Sequence, residues 1–298
     1  MPCVSKRDVT AMEQILPLRN RLLLYIPTAF LLFFFVLPLI ALVILSFWQT
    51  ENYKIVREWT TLNYATLATE KAYITFFLRS LLQAVCVSAF LVVVSWPIAF
   101  FIVRHGGRYR LILSLLLAVP FLSGEVLRLI ALQGMLGPVG LINGLVMRMG
   151  AAPLRFIMYS NSATFIALCY LYLPIVVTTI YLSLLNFDFR LASAASACGA
   201  SRWRVFREIV WPLNLSGTLV GFMLCFIPTL SAALAPRFLG GPNGTLYGMS
   251  IAQQFGESGT WALGAAMGVA LFVFSAITLA ILSLGVDLRR TGFTGLKR

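Results

Sequence analysis

The stretch SAASACGASRWRVFREIVWP, residues 193–212, passes from small residues through a glycine into three arginines and stops at a proline. What flanks it decides the fold. Apolar runs at about 162–184 and 213–234 lie on either side, each as long as the roughly 20 residues a helix needs to cross a bilayer. Four more such runs are readable at about 22–47, 80–103, 111–130 and 263–284. The 298-residue chain is 60% hydrophobic and 11% charged, where a soluble domain carries about 25% charged residues. These observations predict an all-α polytopic membrane protein with six transmembrane helices. Pro38, Pro97, Pro120, Pro174 and Pro228 fall inside the spans, where neighbouring helices can satisfy the freed backbone groups. No small-residue cleavage site follows the first run, which therefore reads as a permanent span.

The net charge of +13 would suggest nucleic acid in a soluble protein. Here the cations sit beside apolar runs and report topology instead, because Lys and Arg stay on the cytoplasmic side. The N-terminal tail (Lys6, Arg7, Arg19, Arg21), the 104–110 loop, the 185–212 segment and the C-terminal tail (Arg289, Arg290, Lys297, Arg298) hold 15 of the 23. The count predicts both termini inside and residues 185–212 in the cytoplasm. The outer side is then built from 49–79, 131–161 and 235–262. Within them VGLINGLVMRM reads as a short interfacial helix and RFLGGPNGTLYG as a turn cluster.

Missing chemistry narrows the function. No lysine follows a glycine, so no phosphate-cradling GxxxxGK[ST] loop exists. There is one histidine, His105, in a basic loop, and five scattered cysteines suit neither a disulfide framework nor a metal site. A self-sufficient ion-driven transporter would bury ionisable residues along its path, and an intramembrane enzyme would need a nucleophile and a base. Only one acid, Glu125, lies well inside a span. The reading is a non-enzyme without cofactor or metal, and any uphill transport draws its energy from another polypeptide.

Within the opening stretch, the small residues up to Cys198 leave a helix with little side-chain bulk, so another surface can approach its backbone. Gly199 suits the left-handed residue that ends such a helix. Ser201 is placed to cap a second one, with Trp203, Phe206 and Val210 on one stripe. Asp188 is placed to cap the first. A partner's hydrophobic groove would use these features, and so would a helix lying among lipid headgroups.

The segment resembles the EAA motif of membrane permeases of ATP-binding cassette importers: Glu-Ala-Ala, three residues, Gly, nine residues, Ile-x-Leu-Pro. Ala194, Ala195, Gly199, Ile209 and Pro212 stand at that spacing, with Ser193 where Glu is usual and Trp211 where Leu is usual. The resemblance covers about 63–285 through VLRLIALQGMLGPVGLINGLV (126–146), YLYLPIVVTTIYLSLLNFD (170–188), RFLGG (237–241) and IAQQF (251–255). It points to the spermidine/putrescine-type branch, and to the first of its two permeases.

The resemblance implies a cytoplasmic coupling helix between helices 4 and 5 that docks on the ATPase. Ser193, Ala194, Ala195, Gly199, Ala200, Trp203, Phe206, Ile209 and Pro212 would form it. The implied partners are ATP-binding cassette ATPase subunits, a second homologous permease and a periplasmic substrate-binding protein, with the lipid bilayer and no nucleic acid. The implied function is alternating-access import of a small solute across the bacterial inner membrane. A polyamine is the leading substrate, with opine, aminoethylphosphonate and ferric iron as alternatives.

Glu125, Arg128, Tyr172 and Pro174 are the candidates for the translocation path. A rival reading pairs Glu125 with Arg128 in a salt bridge. Arg237, Gln253 and Gln254 are the polar candidates on the outer side. The chain divides into 1–75 (tail, first span, outer loop), a permease core at 76–286, and a cytoplasmic tail at 287–298.

Overall fold

In the computed structural model the described residues are 18–150, 152, 158–241 and 244–294. The tail cations Lys6, Arg7, Lys297 and Arg298 lie outside them, as do Pro242 and Asn243 of the outer turn. Chain order gives α1 (Leu18–Ser46), a hairpin β1 (Gln49–Glu51) and β2 (Lys54–Val56), α2 (Leu62–Thr69) and α3 (Lys71–His105). Next come α4 (Arg110–Ala118), α5 (Glu125–Leu136), α6 (Leu141–Arg148), α7 (Asn161–Leu185) and α8 (Phe189–Ala197). The last elements are α9 (Arg202–Val205), a π turn (Phe206–Val210), α10 (Trp211–Leu213), α11 (Leu215–Leu230), α12 (Leu234–Leu239), α13 (Tyr247–Phe255) and α14 (Trp261–Thr294). Five of these helical stretches are long and apolar enough to cross a membrane. A sixth arises if α9–α10 and α11, bent by 66° at Asn214, count as one span.

The centre is built from α3, α7 and α11 packed on one another. On α3 the buried residues Ser80, Ala84, Val87, Ser88, Leu91, Ser95, Ala99 and Ile102 recur at helical spacing. Their small members let the neighbouring helices close in, which is how helices associate where surrounding lipid is as apolar as the side chains. At Gly217 an added Cβ would run into the Ser183 side chain, so α11 lies directly on α7 there. The opposite surfaces stay apolar and uncovered: Phe30, Leu31, Leu32 and Phe35 on α1 are exposed. That is the surface expected of a helix solvated by hydrocarbon rather than water.

The third expected span, 111–130, is not one helix. It runs as α4, a 3-10 turn at Val119–Leu122 and then α5, which begins only at Glu125. Pro38, Pro97, Pro174 and Pro228 all lie inside continuous helices, but Pro120 is followed by Ser123 and Gly124. Gly124 takes an extended conformation (φ −61°, ψ 151°), and the break spreads over several residues. The apolar stretch long enough to span is instead 125–148, so part of the expected outer loop 131–161 continues that helix.

The outer segment 49–79 also holds more structure than its charge balance suggested. Asn52 and Tyr53 have φ of 50° and 61°, the left-handed pair that a tight hairpin turn requires. The hairpin sits on the start of α14: Thr50 Oγ1 accepts from Ala262 N (3.1 Å), and Tyr53 covers Gly259. Finally, α14 continues to Thr294 across the division drawn at 286.

Candidate functional site

The segment joining α7 to α11 follows local chemistry closely. Asp188 caps α8 by accepting from Arg190 N (2.9 Å), and Ser201 caps α9 by accepting from Arg204 N (3.3 Å). Gly199 stands between them at φ 85°, with open space where a Cβ would go. It is chosen for its backbone conformation, which costs an L-residue with a side chain roughly 1–2 kcal/mol. Ser193, Ala194, Gly199 and Trp203 are exposed, while Ala195, Ala200, Phe206, Ile209 and Pro212 are half-buried. The small-residue helix thus presents a low-relief face to its surroundings.

The aromatic stripe turns out to be divided. Trp203 is 69% exposed and stacks on Phe206 (5.7 Å between ring centres). Phe206 meets Trp96 of α3 edge-on (5.4 Å), and Val210 is buried. Only the first member of the stripe points outward; the others fasten the segment to its own membrane core.

The 66° bend is stitched by polar groups. Asn214, 2% exposed, donates from Nδ2 to Val210 O (2.9 Å) and accepts at Oδ1 from Ser183 Oγ of α7 (3.0 Å). Its carbonyl accepts from Thr218 Oγ1 (2.9 Å), and that oxygen accepts from Trp96 Nε1 of α3 (3.2 Å). A bend normally frees backbone groups that are costly inside a membrane. Here Val210 O and Asn214 O keep their backbone partners across the bend (Asn214 N to Val210 O 3.2 Å, Thr218 N to Asn214 O 3.1 Å), and the asparagine and Thr218 side chains tie it to both neighbouring helices.

The other charged constellation lies at the break before α5. Glu125 is the first residue of α5, where the positive end of the helix dipole favours a carboxylate. Arg128 follows one turn later, with buried Nε and Nη1 atoms that have no hydrogen-bond partner among the described residues. The expected Glu125–Arg128 salt bridge does not form. The described ion pairs are Arg204–Glu208 (3.1 Å) and Arg237–Glu257 (3.3 Å). Tyr172 lies within electrostatic reach of both Glu125 and Arg128. Pro174 is buried in α7 and does not line an open surface.

On the outer side, Gln254 is buried and accepts from Thr260 Oγ1. It is therefore committed internally rather than offered to a partner. Arg237 remains exposed beside Glu257. Among the described residues no His, Cys, Asp and Glu cluster could hold a metal ion, and Cys86, Cys169, Cys198 and Cys225 are free thiols. Sequence reasoning missed Asn214, because its partners Ser183 and, through Thr218, Trp96 are far away in the chain.

Residues 108–289 match the family described as binding-protein-dependent transport system inner membrane component. The chain is 29% identical over 253 residues to the spermidine/putrescine transport system permease protein PotB of Escherichia coli (strain K12), covering 84% of this chain and 92% of that one. It is 31% identical over 254 residues to the protein of the same name in Salmonella typhimurium (strain SL1344), covering 84% and 88%. The fold is similar to that of a bacterial alginate ABC transporter solved with an alginate pentasaccharide-bound periplasmic protein. The TM-score is 0.67 and the identity 16%, over 89% of this chain and 93% of that one.

Proposed function

The chain belongs to the binding-protein-dependent transport system inner membrane component family, and from that premise we propose that it moves a polyamine of the spermidine/putrescine type. It is a multi-pass permease subunit of an ATP-binding cassette importer, without enzymatic activity of its own. Its partners are ATPase subunits, a second permease and a periplasmic binding protein. Both termini and α8–α9 face the cytoplasm, consistent with the distribution of Lys and Arg.

The observation that carries the mechanism is the capped, glycine-hinged helix pair Phe189–Val205 between two spans. The exposed face around Ser193, Ala194, Gly199 and Trp203 meets the ATPase, and Ala195 and Ala200 support it from behind. Phe206, Ile209 and Pro212 join it to the bend at Asn214. ATP binding closes the cassette dimer and displaces α8. The stitched bend passes that displacement to α3, α7 and α11, and the pathway between the two permeases switches its opening. The single chain provides a lever and half a pathway.

Glu125, at the N-terminus of α5, supplies negative charge toward a cationic solute. Arg128 and Tyr172 set its field, and Pro174 shapes the helix behind them. Two features support a polyamine: the relatives' substrate, and an acid left free of its neighbouring arginine. The test is ATP-dependent uptake of radiolabelled spermidine into proteoliposomes holding both permeases and the ATPase, with binding protein added. Saturable uptake that requires all components is expected. Uptake of an opine or aminoethylphosphonate in preference to spermidine would overturn the substrate, and uptake without the ATPase would overturn the class.

A further inference from the structure

Between the end of α3 and the α8–α9 pair lies a cleft of about 560 Å³ whose lining includes two arginines, Arg104 and Arg202, and the imidazole of His105. No acid lines it, and neither arginine is in an ion pair. The Arg104 guanidinium lies over the Phe100 ring (5.9 Å), and His105 stacks on Phe101 (5.5 Å), so two of the three cationic or polar heads rest on aromatic faces. Phe100 and Phe206 also line a second groove of about 520 Å³, formed by Val93, Trp96 and Pro97 of α3 together with Trp203 and Trp211. That groove is apolar throughout. Phe100 and Phe206 line both spaces, so a cationic cleft at the helix end adjoins an aromatic groove along the span.

The chemistry that fits is an anion carrying a hydrocarbon tail. A soluble anion would leave the tryptophan groove unfilled. A water-soluble protein partner would have to reach Val93 and Pro97, which are exposed within the apolar run of α3. Juxtamembrane arginines attract anionic lipid headgroups, and tryptophans favour the boundary between headgroups and tails. We propose that these adjoining spaces are a binding site for one anionic phospholipid, its phosphate held by Arg104 and Arg202 and one acyl chain along the Trp96–Phe206–Trp211 groove. The lipid braces the α8–α9 lever against the membrane. Assignment to the cytoplasmic leaflet rests on the orientation proposed above; the binding itself rests only on membrane insertion of the chain.

The assembled transporter, with its ATPase and second permease, is reconstituted in nanodiscs of phosphatidylcholine containing phosphatidylglycerol and stripped stepwise for native mass spectrometry. The expected result is phosphatidylglycerol retained on this subunit well after phosphatidylcholine is lost. The Arg104→Gln/Arg202→Gln variant reduces retention on the order of 20-fold, at about a fivefold loss per cation. Arg104→Lys/Arg202→Lys retains it, showing that the fold survives changes there. Val93→Trp, which fills the groove but leaves the arginines, also loses it.

Equal retention of both lipids, or unchanged retention in the Gln variant, would overturn the site. So would displacement by millimolar inorganic phosphate, which would indicate an anion pocket with no tail site. Lipid present on the free permease but expelled when the ATPase joins would give the cleft to the ATPase instead. Substrate-stimulated ATP hydrolysis is measured on the same samples. Its loss with lipid retained would count against the coupling reading and leave the lipid site standing.

Discussion

Helices of this chain are interrupted at Asn214 and at 119–124, and they are interrupted differently. At Asn214 the chain turns by 66°, yet the Asn214 side chain is bonded to Val210 and Ser183, and Thr218 links the turn to Trp96. At 119–124 the chain also leaves the α-helix. There the adjoining Glu125 and Arg128 form no ion pair, and two guanidinium nitrogens are buried without partners among the described residues. A satisfied break is a rigid elbow that transmits displacement. An unsatisfied one is, on the proposed function, a polar site whose counterpart is the solute. On the proposed function, the first does mechanical work and the second contacts the solute.

The comparison is most directly broken at the elbow. Asn214→Leu removes the bonds to Ser183 and Val210 from a nearly inaccessible position, and leaving buried groups unpaired costs about 1–3 kcal/mol each. Thermal unfolding of the purified subunit in detergent should show a clear drop, and substrate stimulation of ATP hydrolysis should fall even where the variant assembles. Unchanged stability and coupling would mean that the bend needs no stitching. Gly217→Leu tests the same joint by overpacking it against Ser183, with an expected loss of about 1–3 kcal/mol.

At the other break, Glu125→Gln should raise the KM for a cationic solute about tenfold, the equivalent of 1.4 kcal/mol, with stability little changed. A KM that does not move would remove Glu125 from the path. Arg237→Ala on the outer side supplies the smallest effect, because exposed ion pairs contribute about 0.2–1 kcal/mol. Unfolding and uptake should both stay near wild type, and a large loss of binding-protein-dependent uptake alone would identify Arg237 as part of that interface.

What the sequence could reveal divides along the same line. Asp188, Gly199 and Ser201 act within three residues of themselves, through capping and a left-handed turn, so their roles were legible from spacing. The apolar runs at 22–47, 80–103, 162–184 and 263–284 marked long apolar helices for the same reason. The break at Pro120 was hidden because prolines at 38, 97, 174 and 228 sit in unbroken helices, and only the Ser-Gly that follows Pro120 separates it from them. Asn214 was hidden because Thr218 and Trp96, the last link of its network, are 122 residues apart. The stripe Trp203–Phe206–Val210 was legible as a stripe, but which side it served depended on α3, which periodicity does not specify.

The central claim is that α8–α9 converts the ATPase cycle into movement of this chain. The measurement is spermidine uptake and ATP hydrolysis, on the same proteoliposomes, for Gly199→Trp and Phe206→Glu. The first puts bulk at the exposed left-handed turn, and the second unfastens the segment from Trp96. The account predicts assembled complexes whose uptake is nearly abolished while hydrolysis continues without stimulation by substrate. Uptake by both variants at wild-type rates would contradict it.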